Sequence, residues 1–130
     1  MRLVTDTHAL VWYVSGEHRR LSRRAHAVFR QAEQGRSTVI IPTVVLFELT
    51  HLERIGRIRV AYEQMRQQLA LRPGFELADL TAEDVDGARG LHGLLDPFDR
   101  LIVATARRLG TRVLTRDRAI TEAGAVATYW

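Results

Sequence analysis

The chain has 130 residues, of which 46% are hydrophobic, so it can bury a core and we expect one domain, residues 1–130. It contains no cysteine, which excludes disulfide scaffolds, thiolate zinc sites and cysteine nucleophiles. The net charge is +4 and all 19 basic residues are arginine, which suits phosphate recognition but does not by itself identify a function. No apolar run is long enough to span a membrane, so we expect no membrane association and a cytoplasmic location.

The first half of the chain alternates β-branched runs with helical patterns. Ala25, Val28, Phe29 and Ala32 recur at the spacing of one helical face, with Ser22 as a candidate N-cap. The predicted elements are, in order, a strand at 2–5, a helix at 7–14, a helix from 22 to 34, a strand at 38–41 and a helix at 43–55.

The second half continues the same alternation. Asp96 followed by Pro97 is a strong helix start, because Asp suits the N-cap and Pro suits the first helical position. Strands that alternate with helices predict βαβ units, a mainly parallel sheet and helices on both of its faces. The predicted elements are a helix at 60–70, a strand at 75–77, a helix from 81 to 91, a helix from 96 to 109, and strands at 113–115 and 126–129.

Acidic residues stand where the predicted strands end. Asp6 follows the first strand, Asp117 follows the strand at 113–115, and Asp99 lies in the first turn of the helix after Asp96. Glu48 lies on the apolar side of its helix. Since the carboxyl ends of parallel strands share one edge, we expect these carboxylates to converge there. Crowded carboxylates repel unless they protonate or hold a cation, so the pattern predicts a divalent-metal site and phosphoryl chemistry.

Each acid also has a purely structural interpretation. Asp6, Asp96 and Asp117 could serve as turn or N-cap residues. Asp99 could complement the positive N-terminal end of its helix. Glu48 is different, because capping does not explain an acid in the middle of a helix between valine and leucine neighbours. We therefore favour a shared site as the working hypothesis.

Four motifs resemble those of PIN-domain nucleases, and they occur in the family's order over nearly the whole chain. Any one of them is weak, whereas four in order are specific. The compact length also resembles the VapC-type toxins of bacterial and archaeal toxin–antitoxin pairs. The motifs are LVTDTHALVW at 3–12, PTVVLFEL at 42–49, DPFDRLIVATA at 96–106 and LTRD at 114–117.

The resemblance implies a three-layer α/β/α sandwich and a ribonuclease that hydrolyses RNA phosphodiester bonds with Mg²⁺ or Mn²⁺. By motif, Asp6 and Asp99 would be the primary metal ligands. Glu48 and Asp117 would complete the catalytic acids, directly or through water, and Asp96 would be a secondary ligand.

Further roles follow from this hypothesis. Thr7 and Thr115 would hydrogen-bond a metal ligand or the substrate phosphate. Arg100 and Arg116 lie beside acids, and would contact the phosphate or neutralise the cluster. The resemblance also implies a homodimer and a cognate antitoxin protein that wraps the toxin.

The main alternative is a catalytically inactive PIN-fold module that binds a protein partner. It would use the apolar helices around Trp12, Tyr13 and Leu46. The position of Glu48 in an apolar stripe argues against it, because such a module has no use for that charge. A phosphoacceptor receiver domain is excluded, since it needs a lysine and the chain has none.

Overall fold

A parallel sheet of five strands forms the centre of the computed structural model, which describes residues 1–130. The strand order is β3-β2-β1-β4-β5, and every neighbouring pair is parallel. The central strand pairs Val4 with Ile40 on one side and with Val113 on the other. The strands are β1 (Arg2–Thr5), β2 (Thr38–Pro42), β3 (Phe75–Ala78), β4 (Arg112–Leu114) and β5 (Thr128–Tyr129).

Seven helices cover the two faces of this sheet. From the central strand β1 the chain adds β2 and then β3 on one side of the sheet. It then crosses back to add β4 and β5 on the other side. Because such crossovers are right-handed, α1 to α4 lie on one face and α5 to α7 on the opposite face. The three-layer sandwich is thus confirmed, and none of its helices has the length and apolar character to cross a bilayer. The helices are α1 (Thr7–Val14), α2 (Arg23–Glu33), α3 (Thr43–Arg54), α4 (Tyr62–Ala70), α5 (Ala82–Arg89), α6 (Pro97–Arg108) and α7 (Arg118–Ala123).

The main hydrophobic core is built from the sheet and helices α1 to α4, with Ile102 and Ala106 of α6, and its largest fully buried side chain is Phe29. Trp12, Tyr13 and Leu46 belong to this core and are 8%, 6% and 6% exposed. The side chains assigned to the docking surface of an inactive interaction module are therefore buried within the fold. A smaller cluster of Leu91, Leu94, Val103 and Ile120 lies on the other side of the sheet.

Helix α7 and a short 3-10 helix at His18–Arg20 are absent from the elements expected from the sequence. Only six residues form α7, and Ile120 is its one buried side chain, so it has no apolar periodicity to recognise. Its ends do carry signals: Asp117 is the N-cap, and Gly124 ends the helix with a φ of 65°. The other helix and strand boundaries lie within about two residues of expectation, as is usual for frayed element ends.

Candidate functional site

An aspartate caps three of the helices that begin at the carboxyl edge of the sheet. Asp6 caps α1, Asp96 caps α6 and Asp117 caps α7. In each case Oδ1 accepts a hydrogen bond from a first-turn backbone N–H, with shortest distances of 2.8, 2.8 and 2.7 Å. The helix N-termini favour negative charge here. The capping interpretation is therefore correct for these three residues, and it leaves Oδ2 of Asp96 and Asp117 without a hydrogen-bond partner in the protein.

Asp6 is the most deeply buried of the five acids at this edge of the sheet. Its Oδ2 accepts a hydrogen bond from the Thr115 hydroxyl, and its Oδ1 accepts the bond from Ala9 N. Burial raises the pKa of Asp6 to about 6, although these two hydrogen bonds act to lower it. Thr115 Oγ1 also accepts a hydrogen bond from Asp117 N at 2.9 Å. One hydroxyl thus connects the acids that follow β1 and β4.

Asp99 has the strongest electrostatic coupling to the other acids. Burial raises its pKa to about 7, and the negative charges of four further carboxylates raise it as well. The repelling carboxylates are Asp96, Asp117, Asp6 and Glu48, in order of decreasing effect. The five acids expected to meet at one edge of the sheet therefore lie close enough to influence a common group.

Glu48 lies on α3 and is half-buried beside Thr7. Burial raises the pKa of Glu48, and the negative charge of Asp96 adds to that rise, whereas Thr7 and two histidines oppose it. The Thr7 side chain is buried and its Oγ1 has no hydrogen-bond partner in the protein. That hydroxyl is near enough to Glu48 to lower the pKa of its carboxyl but makes no hydrogen bond of normal geometry, so a bound ligand could satisfy it.

The two arginines expected at the site occupy different surroundings. The guanidinium of Arg116 is exposed and lies over the Trp12 ring, 4.6 Å from its centroid. Arg100 is partly buried, and its Nε has no partner. Neither arginine forms an ion pair, so the charge of the acids is not offset by direct contact with them.

No three acidic or histidine side chains already stand in an arrangement that would enclose a metal ion. Their chemistry nevertheless fits a hard divalent cation, because the available donors are carboxylate oxygens. Burial, first of all, and the negative charges of neighbouring acids hold the pKa values of Asp6 and Asp99 above their ordinary range, so a bound cation would favour their ionised forms.

His8 and Trp12 belong to the site, but the motif analysis gave them no role there. Together with Asp6, Arg116 and Asp117 they line an open depression of about 310 Å³. The charge of His8 helps to lower the pKa of Asp6, although burial outweighs it. The sequence held a signal, because residues four apart, such as His8 and Trp12, share one side of a helix.

Removing the charge of Asp99 is expected to stabilise the metal-free fold. Because its folded pKa lies above its unfolded value, the folded state binds more protons, and stability falls as pH rises from about 4 to 7. Asp99→Asn escapes this loss, so urea unfolding at pH 8 in EDTA should show a gain of about 1–2 kcal/mol, allowing for partial solvent screening. The gain should shrink towards pH 4. Asp86→Asn, on the exposed side of α5, is the matched control, and an equal response from both variants would contradict an acidic cluster.

Solved structures of similar fold include a chain of VapBC2 from Rickettsia felis bound to a DNA fragment from its promoter. That chain has a TM-score of 0.70 at 16% identity, and the match covers 99% of this chain and 98% of that one. A toxin–antitoxin complex from Klebsiella pneumoniae gives 0.67 at 17% identity, over 97% and 96% of the two chains. FitAcB from Neisseria gonorrhoeae gives 0.66 at 19% identity, over 100% and 97%. At these identities the likeness concerns the fold alone.

Sequence comparison adds a relative and a family. The chain is 29% identical over 120 residues to Ribonuclease VapC22 of Mycobacterium tuberculosis (strain ATCC 25618 / H37Rv). The matched region covers 91% of this chain and 88% of that protein. The model of the PIN domain matches residues 3–126, a range that includes all five acids. A match of this extent, on a fold with the expected topology, shows that this chain belongs to the PIN domain family.

Proposed function

We propose that this protein is a metal-dependent endoribonuclease and the toxin component of a toxin–antitoxin pair. The observation that carries the proposal is the coupling of Asp99 to four other carboxylates at the carboxyl edge of a PIN-domain sheet. The similarity to Ribonuclease VapC22 supports RNA as the substrate. A group of acids that resist ionisation together is what a site for a divalent cation requires.

Asp6 and Asp99 would hold Mg²⁺ or Mn²⁺, with Glu48 and Asp117 completing the catalytic acids and Asp96 as a secondary ligand. When bound, the ion would acidify a water molecule and offset negative charge on the phosphate. Hydrolysis would form a bond from the water oxygen to phosphorus and break the bond from phosphorus to the leaving ribose oxygen, and the proton given up by the water would end on that ribose oxygen.

The protein's own groups hold the reactants in place. Thr115 fixes the orientation of the Asp6 carboxylate through its hydroxyl. The unpartnered hydroxyl of Thr7 would donate a hydrogen bond to the phosphate or to a ligand of the ion. Arg116, and Arg100 through its unpartnered Nε, would bind phosphate oxygens beside the acids.

We also propose two protein partners, a cognate antitoxin and a second copy of this chain. Two apolar side chains beside the acids are exposed: Phe47 is 64% exposed next to Glu48, and Leu95 is 92% exposed next to Asp96. Covering such side chains with a partner is favourable. An enzyme of this kind would act in the cytoplasm, where its RNA substrates are.

Metal removal tests the proposed activity. Purified protein should cleave single-stranded RNA with Mg²⁺ or Mn²⁺ and lose that cleavage in excess EDTA, because the acids then repel one another and no cation offsets the phosphate charge. Millimolar Mn²⁺ should also raise the melting temperature, since binding to the folded state alone stabilises it. Cleavage that persists in EDTA would contradict metal dependence. Absence of both cleavage and a melting shift would instead favour the inactive interaction module.

A further inference from the structure

Trp12 holds two arginines at the rim of the acidic site. Its ring is 8% exposed, and the guanidinium groups of Arg20 and Arg116 lie 5.1 and 4.6 Å from the ring centroid. Arg116 also lines the depression that contains Asp6. The edge of Trp12 meets the C-terminal Trp130, with the ring centroids 6.1 Å apart. Trp12 therefore contacts both the arginine that lines the acidic depression and the side chain of Trp130.

Tyr129 repeats this arrangement one residue before the C-terminus. Arg24, in the first turn of α2, lies 4.2 Å from the Tyr129 ring centroid, and Arg112, at the start of β4, lies 4.8 Å from it. Tyr129 and Trp130 both pack against the hydrophobic cluster that contains Trp12. The two pairs of cations are thus linked through Trp12, Trp130 and the adjacent Tyr129, and we call them the arginine track: Arg20, Arg24, Arg112 and Arg116.

The charges of the arginine track are almost entirely unneutralised. Only Arg20 forms an ion pair, with Glu17 at 3.9 Å, and both side chains are about half exposed, so this contact is weak. Contact with an aromatic ring fixes the plane of a guanidinium and leaves its N–H donors uncommitted. Arg20, Arg24 and Arg116 are exposed, and Arg112 is partly exposed. The donors are therefore oriented, charged and open to solvent.

We propose that the arginine track, held on the rings of Trp12 and Tyr129, binds the backbone of single-stranded RNA beyond the cleaved bond. This inference rests on the proposed function. Arginine binds phosphate oxygens, and unpaired bases stack on guanidinium planes, so guanidinium groups supported from below by aromatic rings match a single strand. An acidic protein segment would use the charges but would have no use for the stacking planes.

The double variant Arg24→Ala/Arg112→Ala tests the track. These two arginines lie on Tyr129 and do not line the depression that contains Asp6. Binding of a labelled single-stranded RNA is measured by fluorescence anisotropy at increasing KCl in EDTA, where no cleavage is needed. The slope of log affinity against log salt should become shallower by about 0.7 for each phosphate contact removed. A wild type that binds RNA with this slope but never cleaves it would refute the nuclease proposal and leave the track intact.

The matched control is Arg89→Ala/Arg107→Ala, which removes two exposed arginines from α5 and α6 and should keep the wild-type slope. Arg24→Lys/Arg112→Lys should also keep that slope, because it retains the charges. If the double alanine variant melts at a lower temperature than the wild type, the single variant Arg24→Ala is used instead. Its salt slope should then change by half as much as that expected for the double variant. A wild-type slope in the track variants, or an equal decrease in the control, would overturn the proposal. So would loss of polyglutamate binding with RNA binding retained, which would assign the track to an acidic protein.

Discussion

The Asp99→Ala variant is expected to cleave single-stranded RNA at least about 100-fold more slowly than the wild type with saturating Mg²⁺. Asp99 is the group on which the repulsion of the other four acids converges, so it is central to the proposed cation site. Removing its oxygens would take a proposed ligand away from the cation and weaken its binding. The measurement is the initial rate of cleavage of a fluorescent RNA at matched protein concentration.

Loss of activity through unfolding would have a different signature. The variant lacks a repelled carboxylate, so its metal-free form should unfold at a urea concentration no lower than that of the wild type. Asp86→Ala removes an exposed carboxylate from α5 and should retain full activity. Cleavage by Asp99→Ala at the wild-type rate would refute the assignment of the site, whatever the stability of the variant.

The Arg108→Ala variant is expected to lose about 3–5 kcal/mol of unfolding free energy, because it leaves a buried carboxylate without its cation. The carboxylate is that of Asp84, whose side chain is 0% exposed. Arg108 donates from Nε to Oδ1 at 2.6 Å and from Nη2 to Oδ2 at 3.0 Å. Burial acts to raise the pKa of Asp84, but the hydrogen bonds from Arg108 and Thr81 outweigh it, and the pKa is lowered.

Urea unfolding at pH 7 measures this loss, and the neighbouring Arg107→Ala is the control, because Arg107 is exposed and forms no ion pair. In the wild type the pKa of Asp84 is lower in the folded state than in the unfolded state, where it is about 4. This difference stabilises the fold at pH values above about 4, and the stabilisation is lost as the pH falls through the folded-state pKa. Without Arg108 this contribution disappears, so the deficit should be largest near neutral pH and smaller in acid. Equal stability of the two variants would show that the buried pair does not hold α5 to α6.

The candidate residues of the site could be proposed from the sequence because each acid carries a short-range signal. Asp6 and Asp117 follow β-branched runs, Asp96 precedes a proline, and Glu48 interrupts an apolar stripe. The parallel sheet follows from the alternation of strands and helices, and it brings the strand ends to one edge. The local pattern therefore determined the fold class and the expectation that the acids meet.

Only the tertiary structure decided which atoms meet. The hydroxyl of Thr115 reaches Asp6 across 109 positions of the chain, and Arg108 reaches Asp84 across 24. Such contacts depend on the order of the strands and on side-chain rotamers, which local periodicity does not encode. The same holds for the Arg116–Trp12 contact, since the sequence places Trp12 in the core but gives no sign of the cation above its ring.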